Sequence, residues 1–341
     1  MTYPIDFVLP WVDGNDPEWI NEKKKFQELD HNVSLSLDAN NNCRYRDNGL
    51  LKFWFRGVER FAPWVNHIYF VTCGQKPEWL NINHSKLTFV THKDFIQHEY
   101  LPTFNANTIE MSFHRIEGLS EHFVYFNDDM FLLRPIGEEL FFKNGCPVLD
   151  TRFSYPPKRV EHNWELLLTN DYYIVNKSFS PIKSVWKNRK KWFNLPALGA
   201  KRVFGNLGRF LTHLALPVDI YGHIPLPHLK SSLIEVWDKY PTLMSRSSSC
   251  RFRSDNQVNQ WLLCAWNQAK GSFYPAHKKD LGLFINYSEE NTTWIKECIL
   301  SHNTPLICLN ESENSIVSDS LTATIFQAFD SILPNKSSFE L

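Results

Sequence analysis

Two short apolar runs, Ile5 to Val12 and Phe123 to Phe126, each stop abruptly at an acidic turn, Asp13-Gly14-Asn15-Asp16 and Asn127-Asp128-Asp129. Runs this short and this apolar read as strands buried on both faces, as in parallel sheets. Between them, Ile68 to Thr72 and Leu87 to Thr91 read as two further strands. Asp47 or Asn48 can cap a helix whose Leu51, Trp54, Phe55, Val58 and Phe61 share one face before Pro63 stops it. A second helix is expected over Thr108 to Glu117. The alternation predicts an α/β fold with a mostly parallel, Rossmann-like sheet and helices on both faces. Ligands bind beyond the carboxyl ends of such strands, so the two acidic turns are expected to line one cleft.

What the chain excludes follows from its make-up. Its 341 residues carry 36 Lys and Arg against 37 Asp and Glu, a net charge of −1 that favours neither nucleic acid nor a membrane surface globally. Any electrostatic argument is therefore local. The longest apolar runs, such as Leu262 to Trp266, fall far short of the ~20 residues of a membrane span. The N-terminus lacks a basic region and a long apolar core, so a cytoplasmic protein is expected. The 7 cysteines are scattered with no C-x-x-C pair, which predicts reduced thiols without a structural zinc. No P-loop, zincin or dinucleotide string occurs.

Two features carry chemistry. The adjacent carboxylates Asp128 and Asp129 at a strand end suit Mg²⁺ or Mn²⁺, which take carboxylates together with substrate phosphate oxygens. Asn-Asp-Asp is also ordinary turn chemistry. The stretch 172–218 contains nine Lys or Arg and no Asp or Glu, with aromatics interleaved. It suits a polyanionic acceptor or the anionic surface of a membrane, or else is a solvated helical face.

Several strings resemble the Stealth family of sugar-1-phosphate transferases: Ile5-Asp-Phe-Val-Leu-Pro-Trp-Val-Asp-Gly14, then Arg44-Tyr-Arg-Asp47, Val71-Thr-Cys-Gly-Gln-Lys-Pro-Glu-Trp-Leu80, His114-Arg-Ile-Glu-Gly-Leu-Ser120 and Tyr125-Phe-Asn-Asp-Asp129. A third signature is similar at His223-Ile-Pro-Leu-Pro-His-Leu-Lys230 and Arg251-Phe-Arg-Ser254, and a fourth at Ile307-Cys-Leu-Asn-Glu311. Leu226 stands at the family's second histidine position, with His228 two residues later, and Glu311 replaces an aspartate. The resemblance implies a fold of the nucleotide-sugar transferase type and transfer of a sugar-1-phosphate from a UDP-hexose or UDP-HexNAc to a polysaccharide or lipid-linked glycan hydroxyl, releasing UMP. Bacterial members build cell-surface polysaccharides, and animal relatives modify lysosomal glycans. A metal-dependent glycosyltransferase releasing UDP and a non-catalytic glycan-binding assembly subunit are the competing readings.

Under that resemblance the expected roles divide as follows. Asp128 and Asp129 hold the metal. His223 is the base, with Arg251, Arg253 and Asp255 beside it; one arginine clamps phosphate and the other pairs with Asp255. Asp13, Gly14, Asn127, Glu110, His114, Arg115 and Lys230 are expected to contact substrate, with Gly14 permitting close backbone approach. Glu110 and His114, four apart, should share a helix face. The chain divides into an N-terminal catalytic half (1–135), a basic, mainly helical insertion (136–220), a C-terminal half completing the site (221–315) and a tail (316–341).

Overall fold

A computed structural model of the protein describes residues 3–29, 45, 48–159, 162–277, 282–311 and 318–341. Arg44 and Asp47, named above, lie outside the described residues. The described residues form strands β1 (Ile5–Pro10), β2 (His67–Thr72), β3 (Leu87–Thr91), β4 (His122–Tyr125), β5 (Met130–Leu132), β6 (Phe142–Lys143), β7 (Cys146–Asp150), β8 (Leu226–Leu229), β9 (Tyr274–Ala276), β10 (Leu283–Asn286) and β11 (Leu306–Asn310).

The central sheet has the order β3-β2-β1-β4-β8, parallel except for its β8 edge. β1 shows why the strand sequence is apolar throughout. Ile5, Phe7 and Leu9 enter one core while Val8 enters the other, so alternate side chains are buried on both faces. Buried Asp6 is satisfied by Asn66 Nδ2 at 2.7 Å and the Ser120 amide at 2.8 Å. The first core lies under the Leu51–Phe61 helix and the Asp319–Ile332 helix, and includes β5 and β11. The second lies under the Asn163–Ser178, Lys230–Lys239 and Trp261–Lys270 helices. Two smaller sheets, β10-β11-β5 and β6-β7-β9, flank the central one.

The Leu51–Phe61 helix buries more than its expected face, since Phe53 is covered by Phe326 and Phe329 of the C-terminal helix. Arg56 fastens that segment, donating to both carboxylate oxygens of Glu340 at 2.8 and 2.9 Å and to the Leu333 carbonyl at 2.9 Å. Residues 319–341 are thus a packed part of the first core.

The helix expected over Thr108–Glu117 is shorter: an α-helix spans Ala106–Glu110 and a single 3₁₀ turn spans Phe113–Arg115. Trp237 Nε1 donates to the Met111 carbonyl at 2.7 Å, taking the acceptor that continued helix would use.

Candidate active site

In the order β3-β2-β1-β4 the direction of winding reverses between β1 and β4, which is where an open α/β sheet forms its ligand crevice. The loops leaving those two strands are the two acidic turns, and they carry out different tasks.

The turn after β1 is held by its own chain. Gln75 Nε2 donates to the Asp13 carbonyl at 3.0 Å and to Asp16 Oδ2 at 2.8 Å, while the Asp13 amide donates to Gln75 Oε1 at 2.9 Å. Asp13 Oδ1 accepts from the Asn15 amide at 2.9 Å. Asp16 caps the Pro17–Leu29 helix by accepting from the Glu18 amide at 2.9 Å. The Gln75 hydrogen bond lowers the Asp16 carboxyl from its ordinary value. A Cβ on Gly14 would stand 2.0 Å from the Tyr45 carbonyl oxygen, so the backbone that approaches Gly14 closely is the protein's own. Tyr45 is anchored in turn by its hydroxyl to the Phe104 carbonyl at 3.1 Å and by Lys23 Nζ 3.8 Å from its ring centroid.

The turn after β4 carries the reactive constellation. Phe126 donates to the Val8 carbonyl at 3.0 Å, and the chain reverses at Asn127-Asp128-Asp129 into β5. β5 pairs antiparallel with β11, Met130 opposite Cys308, and the Leu309 amide donates to the Asp129 carbonyl at 2.9 Å. Donor atoms of Asp129, His223 and Cys308 lie within 4.8 Å of one another. His223 arrives from the sharp Tyr221-Gly222-His223 turn, whose φ values are 48°, 95° and 49°. Two non-glycine residues at positive φ store strain of order 1–3 kcal/mol each. Burial holds the turn in place: Tyr221 is enclosed, with its hydroxyl donating to Gln268 Oε1 at 3.0 Å, and Phe284 meets the His223 ring edge to face at 5.2 Å.

This donor set can hold a divalent cation. Burial and the adjacent carboxylates push the Cys308 thiol well above its ordinary value, with Asp129 accepting its hydrogen bond. That hydrogen bond holds Cys308 against the acidic turn, where Asp128 is the adjacent residue along the chain. The fourth signature lies alongside. Glu311 Oε2 accepts from the Tyr287 hydroxyl at 3.2 Å, which accepts from Asn48 Nδ2 at 2.8 Å, and Asn310 Nδ2 donates to Asn286 Oδ1 at 2.6 Å.

A second polar group sits on the other face of β4. Tyr125 donates its hydroxyl to Glu110 Oε1 at 2.8 Å inside the second core. Burial pushes the Glu110 carboxyl up to about 7, opposed by the Tyr125 hydrogen bond and by the charge of Arg253. Arg253 and Asp128 both act on Tyr125, which links this group to the acidic turn.

The two arginines separate. Arg251 donates to the Pro102 carbonyl at 2.7 Å and lies over Phe26 at 4.9 Å, while buried Phe252 stacks on Phe104 at 5.2 Å. The charge of Arg253 acts on Glu110 and Tyr125. Asp255 Oδ1 accepts from Asn163 Nδ2 at 2.6 Å.

His114, Arg115 and Lys230 are not brought to this cleft. β4 begins at His122 opposite Leu229, and Lys230 bonds the Glu121 carbonyl through its amide at 2.8 Å and the Leu119 carbonyl through Nζ at 3.2 Å, at the amino end of the strand. His114 and Arg115 pack on Trp237, at 5.7 and 4.2 Å, and burial lowers the His114 imidazole to about 4. Glu110 and His114 therefore share no face. His228 is buried in β8 against Phe123, its Nε2 3.1 Å from Gln260 Oε1.

Sequence reading passed over Cys308 and Gln75 as site residues. Cys308 had a signal, since the apolar Leu306–Leu309 also ends at a polar pair, Asn310-Glu311. Gln75 had none, because its role is to bridge backbone and side chain across the β1 and β2 loops.

Fold and site together define an α/β protein with an acidic loop and an imidazole at the switch point of its sheet. The Stealth protein conserved region 1 matches residues 3–28 and conserved region 2 matches residues 44–148. The chain is 37% identical over 340 residues, with both chains fully covered, to a Streptococcus pneumoniae protein named capsular polysaccharide phosphotransferase WcwK. It is 38% identical over 341 residues, 99% of each chain, to the receptor polysaccharide phosphotransferase WefC of Streptococcus oralis. It is 47% identical over 193 residues, 56% of this chain and 79% of the other, to the Streptococcus thermophilus capsular polysaccharide phosphotransferase CpsJ. The protein belongs to the Stealth family. Mouse xyloside xylosyltransferase 1 superposes with a TM-score of 0.36 at 11% identity over 92% of this chain and 100% of that one, a likeness too slight to carry a functional argument. None of the described helices is long and apolar enough to cross a membrane.

Proposed function

We propose that the protein transfers a sugar-1-phosphate from a UDP-sugar to a hydroxyl of a growing cell-surface polysaccharide. The acceptor oxygen attacks the β-phosphorus, the bond to the bridging pyrophosphate oxygen breaks, UMP leaves, and a phosphodiester remains. The observation that carries this reading is the meeting of Asp129 and His223, from loops far apart in sequence, at the sheet's switch point. The relatives named as polysaccharide phosphotransferases support it.

In this mechanism His223 accepts the acceptor hydroxyl's proton. Asp128, Asp129 and Asn127 form the floor beneath the diphosphate. Asp128 and Asp129 would hold Mg²⁺ or Mn²⁺ with the His223 imidazole left off the metal, and the cation would supply charge neutralisation for the phosphate oxygens. Arg253 adds positive charge on the far side of β4, where it also opposes protonation of Glu110. Asp13, on the loop after β1, would meet the donor at its other end.

The test is product analysis with a set of UDP-sugars and an oligosaccharide acceptor. UMP together with a ³¹P phosphodiester resonance on the acceptor is expected. UDP with no phosphorus in the product would make the protein a glycosyltransferase instead, and no turnover of any donor would leave only a binding role.

A further inference from the structure

The helix Leu195–His213 kinks at Gly199, which adopts φ 74° and ψ 159°. Past the kink, Asn206 fixes its orientation. This fully buried side chain donates to the Thr151 carbonyl at 3.0 Å and the Trp192 carbonyl at 3.2 Å, and accepts from the Phe153 amide at 3.0 Å. With 3.6 residues per turn, Phe204, Leu207 and Leu211 then form one stripe on the outward side. They are 70%, 40% and 62% exposed. The preceding Pro181–Lys187 helix repeats the arrangement, burying Ser184 and Val185 while Ile182 and Trp186 stand 61% and 70% exposed. Large apolar side chains grouped on an outer surface mark something that covers them.

Charge identifies the occupant. Of the nine Lys and Arg between 172 and 218, two turn inward: Arg202 pairs with Asp150 at 3.2 Å, and Lys191 donates to the Gly271 carbonyl at 2.6 Å. The other seven are exposed, and Lys201 borders the Phe204 stripe on the helical wheel. No carboxylate occurs in the stretch. A second copy of the chain would bring like charge against like charge. A hydrophilic glycan would gain little from bare Phe and Leu side chains. A surface that is anionic outside and apolar just beneath matches both features at once.

We propose that this face docks the protein on an anionic lipid bilayer, with Phe204, Leu207 and Leu211 inserted at the boundary between headgroups and acyl chains and the exposed cations above the headgroups. The protein then lies on the membrane without spanning it, and is held where a lipid-linked acceptor would present its growing end.

Co-sedimentation of the full chain with vesicles tests this without any donor or turnover, so its outcome is independent of the proposed reaction. Binding to phosphatidylglycerol-containing vesicles is expected, with little binding to pure phosphatidylcholine and marked loss as salt shortens the Debye length from about 10 to about 3 Å. The pair Phe204→Ser and Leu211→Ser should weaken binding more than about tenfold, and Lys201→Gln with Lys183→Gln, the exposed cation beside Ile182, about fivefold per cation. All four positions are at the surface, so thermal melting should be unchanged. Failure to bind anionic vesicles, or binding untouched by the Ser pair, would overturn the proposal. So would dissociation of a dimer by the Ser pair, which would show a second copy on this face. A raised KM for a soluble polysaccharide acceptor in the Gln pair, with vesicle binding unchanged, would reassign the face to the acceptor and likewise overturn it.

Discussion

Asp129 and His223 meet within 4.8 Å because two independent devices converge on them: the reversal of the chain from β4 into β5, and a left-handed turn at Tyr221-Gly222-His223 held by a buried tyrosine. Substitution at either residue therefore tests the site directly. His223→Ala should lower kcat by about 10²–10⁴ with donor affinity nearly intact, since a base acts on the transition state. An unchanged kcat would show the imidazole to be structural.

Asp128→Asn and Asp129→Asn each remove a charge at constant volume, so both should abolish most turnover while circular dichroism and melting stay close to those of the parent. Activity should vanish with a chelator and return with Mg²⁺ or Mn²⁺. Full activity in excess chelator would refute the metal assignment.

Glu110 gives the protein a pH-dependent cost. Its carboxyl is raised by burial from 4.5 to about 7, so the folded state binds the proton more tightly than the unfolded chain. Stability is therefore greatest below the unfolded value and falls as pH rises from 4.5 towards 7, by about 3 kcal/mol if the whole shift is realised. Glu110→Gln should remove this fall. Buried His92 and His228 and half-buried His114, each lowered to about 4, act with the opposite sign, losing stability as pH falls through 6.5. The comparison must therefore be between parent and variant at each pH. Urea midpoints at pH 5 and pH 8 measure it, and a parallel pair of profiles would exclude the assignment.

How much of this was legible follows from range. The strands and the Leu51–Phe61 helix could be read because their signals are local: apolar runs, one-sided spacing and Pro63. The acidic turns could be placed at one edge because parallel strands align their carboxyl ends. The convergence of Asp129, His223 and Cys308 could not be read, since it depends on β11 crossing to pair with β5 and on the Tyr221-Gly222-His223 turn that leads into β8 beside β4. The packing of His114 and Arg115 on Trp237 and of Lys230 at the amino end of β4 could not be read, because spacing in sequence suggests a shared face for Glu110 and His114 and says nothing of Trp237, which ends the helix.

Gly14→Ala should be disproportionately costly. The added Cβ would stand 2.0 Å from the Tyr45 carbonyl oxygen and 2.7 Å from its carbon, backbone atoms that cannot swing aside. Overpacking of this kind costs typically 1–3 kcal/mol, and here it would also displace the Gln75 contacts that hold Asp13 and Asp16. Chemical denaturation of the variant checks it, and unchanged stability would mean that the Tyr45 segment does not seat on this turn.

Arg251 and Arg253, two residues apart, should fail in different ways. Arg251 donates to the Pro102 carbonyl at 2.7 Å and covers Phe26, so it ties the segment bearing Arg253 to the loop before the Ala106–Glu110 helix. Hydrogen bonds from charged donors contribute about 1.5–3 kcal/mol, and Arg251→Gln should lower stability by that order while kcat, measured well below the melting temperature, changes little. The charge of Arg253 acts on Glu110 and Tyr125 and opposes protonation of Glu110. Arg253→Gln should leave most stability in place, reduce kcat, and move the Glu110-dependent fall in stability to higher pH, because the carboxylate loses a favourable neighbour. The pair of urea profiles and steady-state kinetics separates the two roles. Equal effects on kcat from both variants would mean that Arg251 also reaches the substrate, and a pH profile unmoved by Arg253→Gln would remove Arg253 from the Glu110 group.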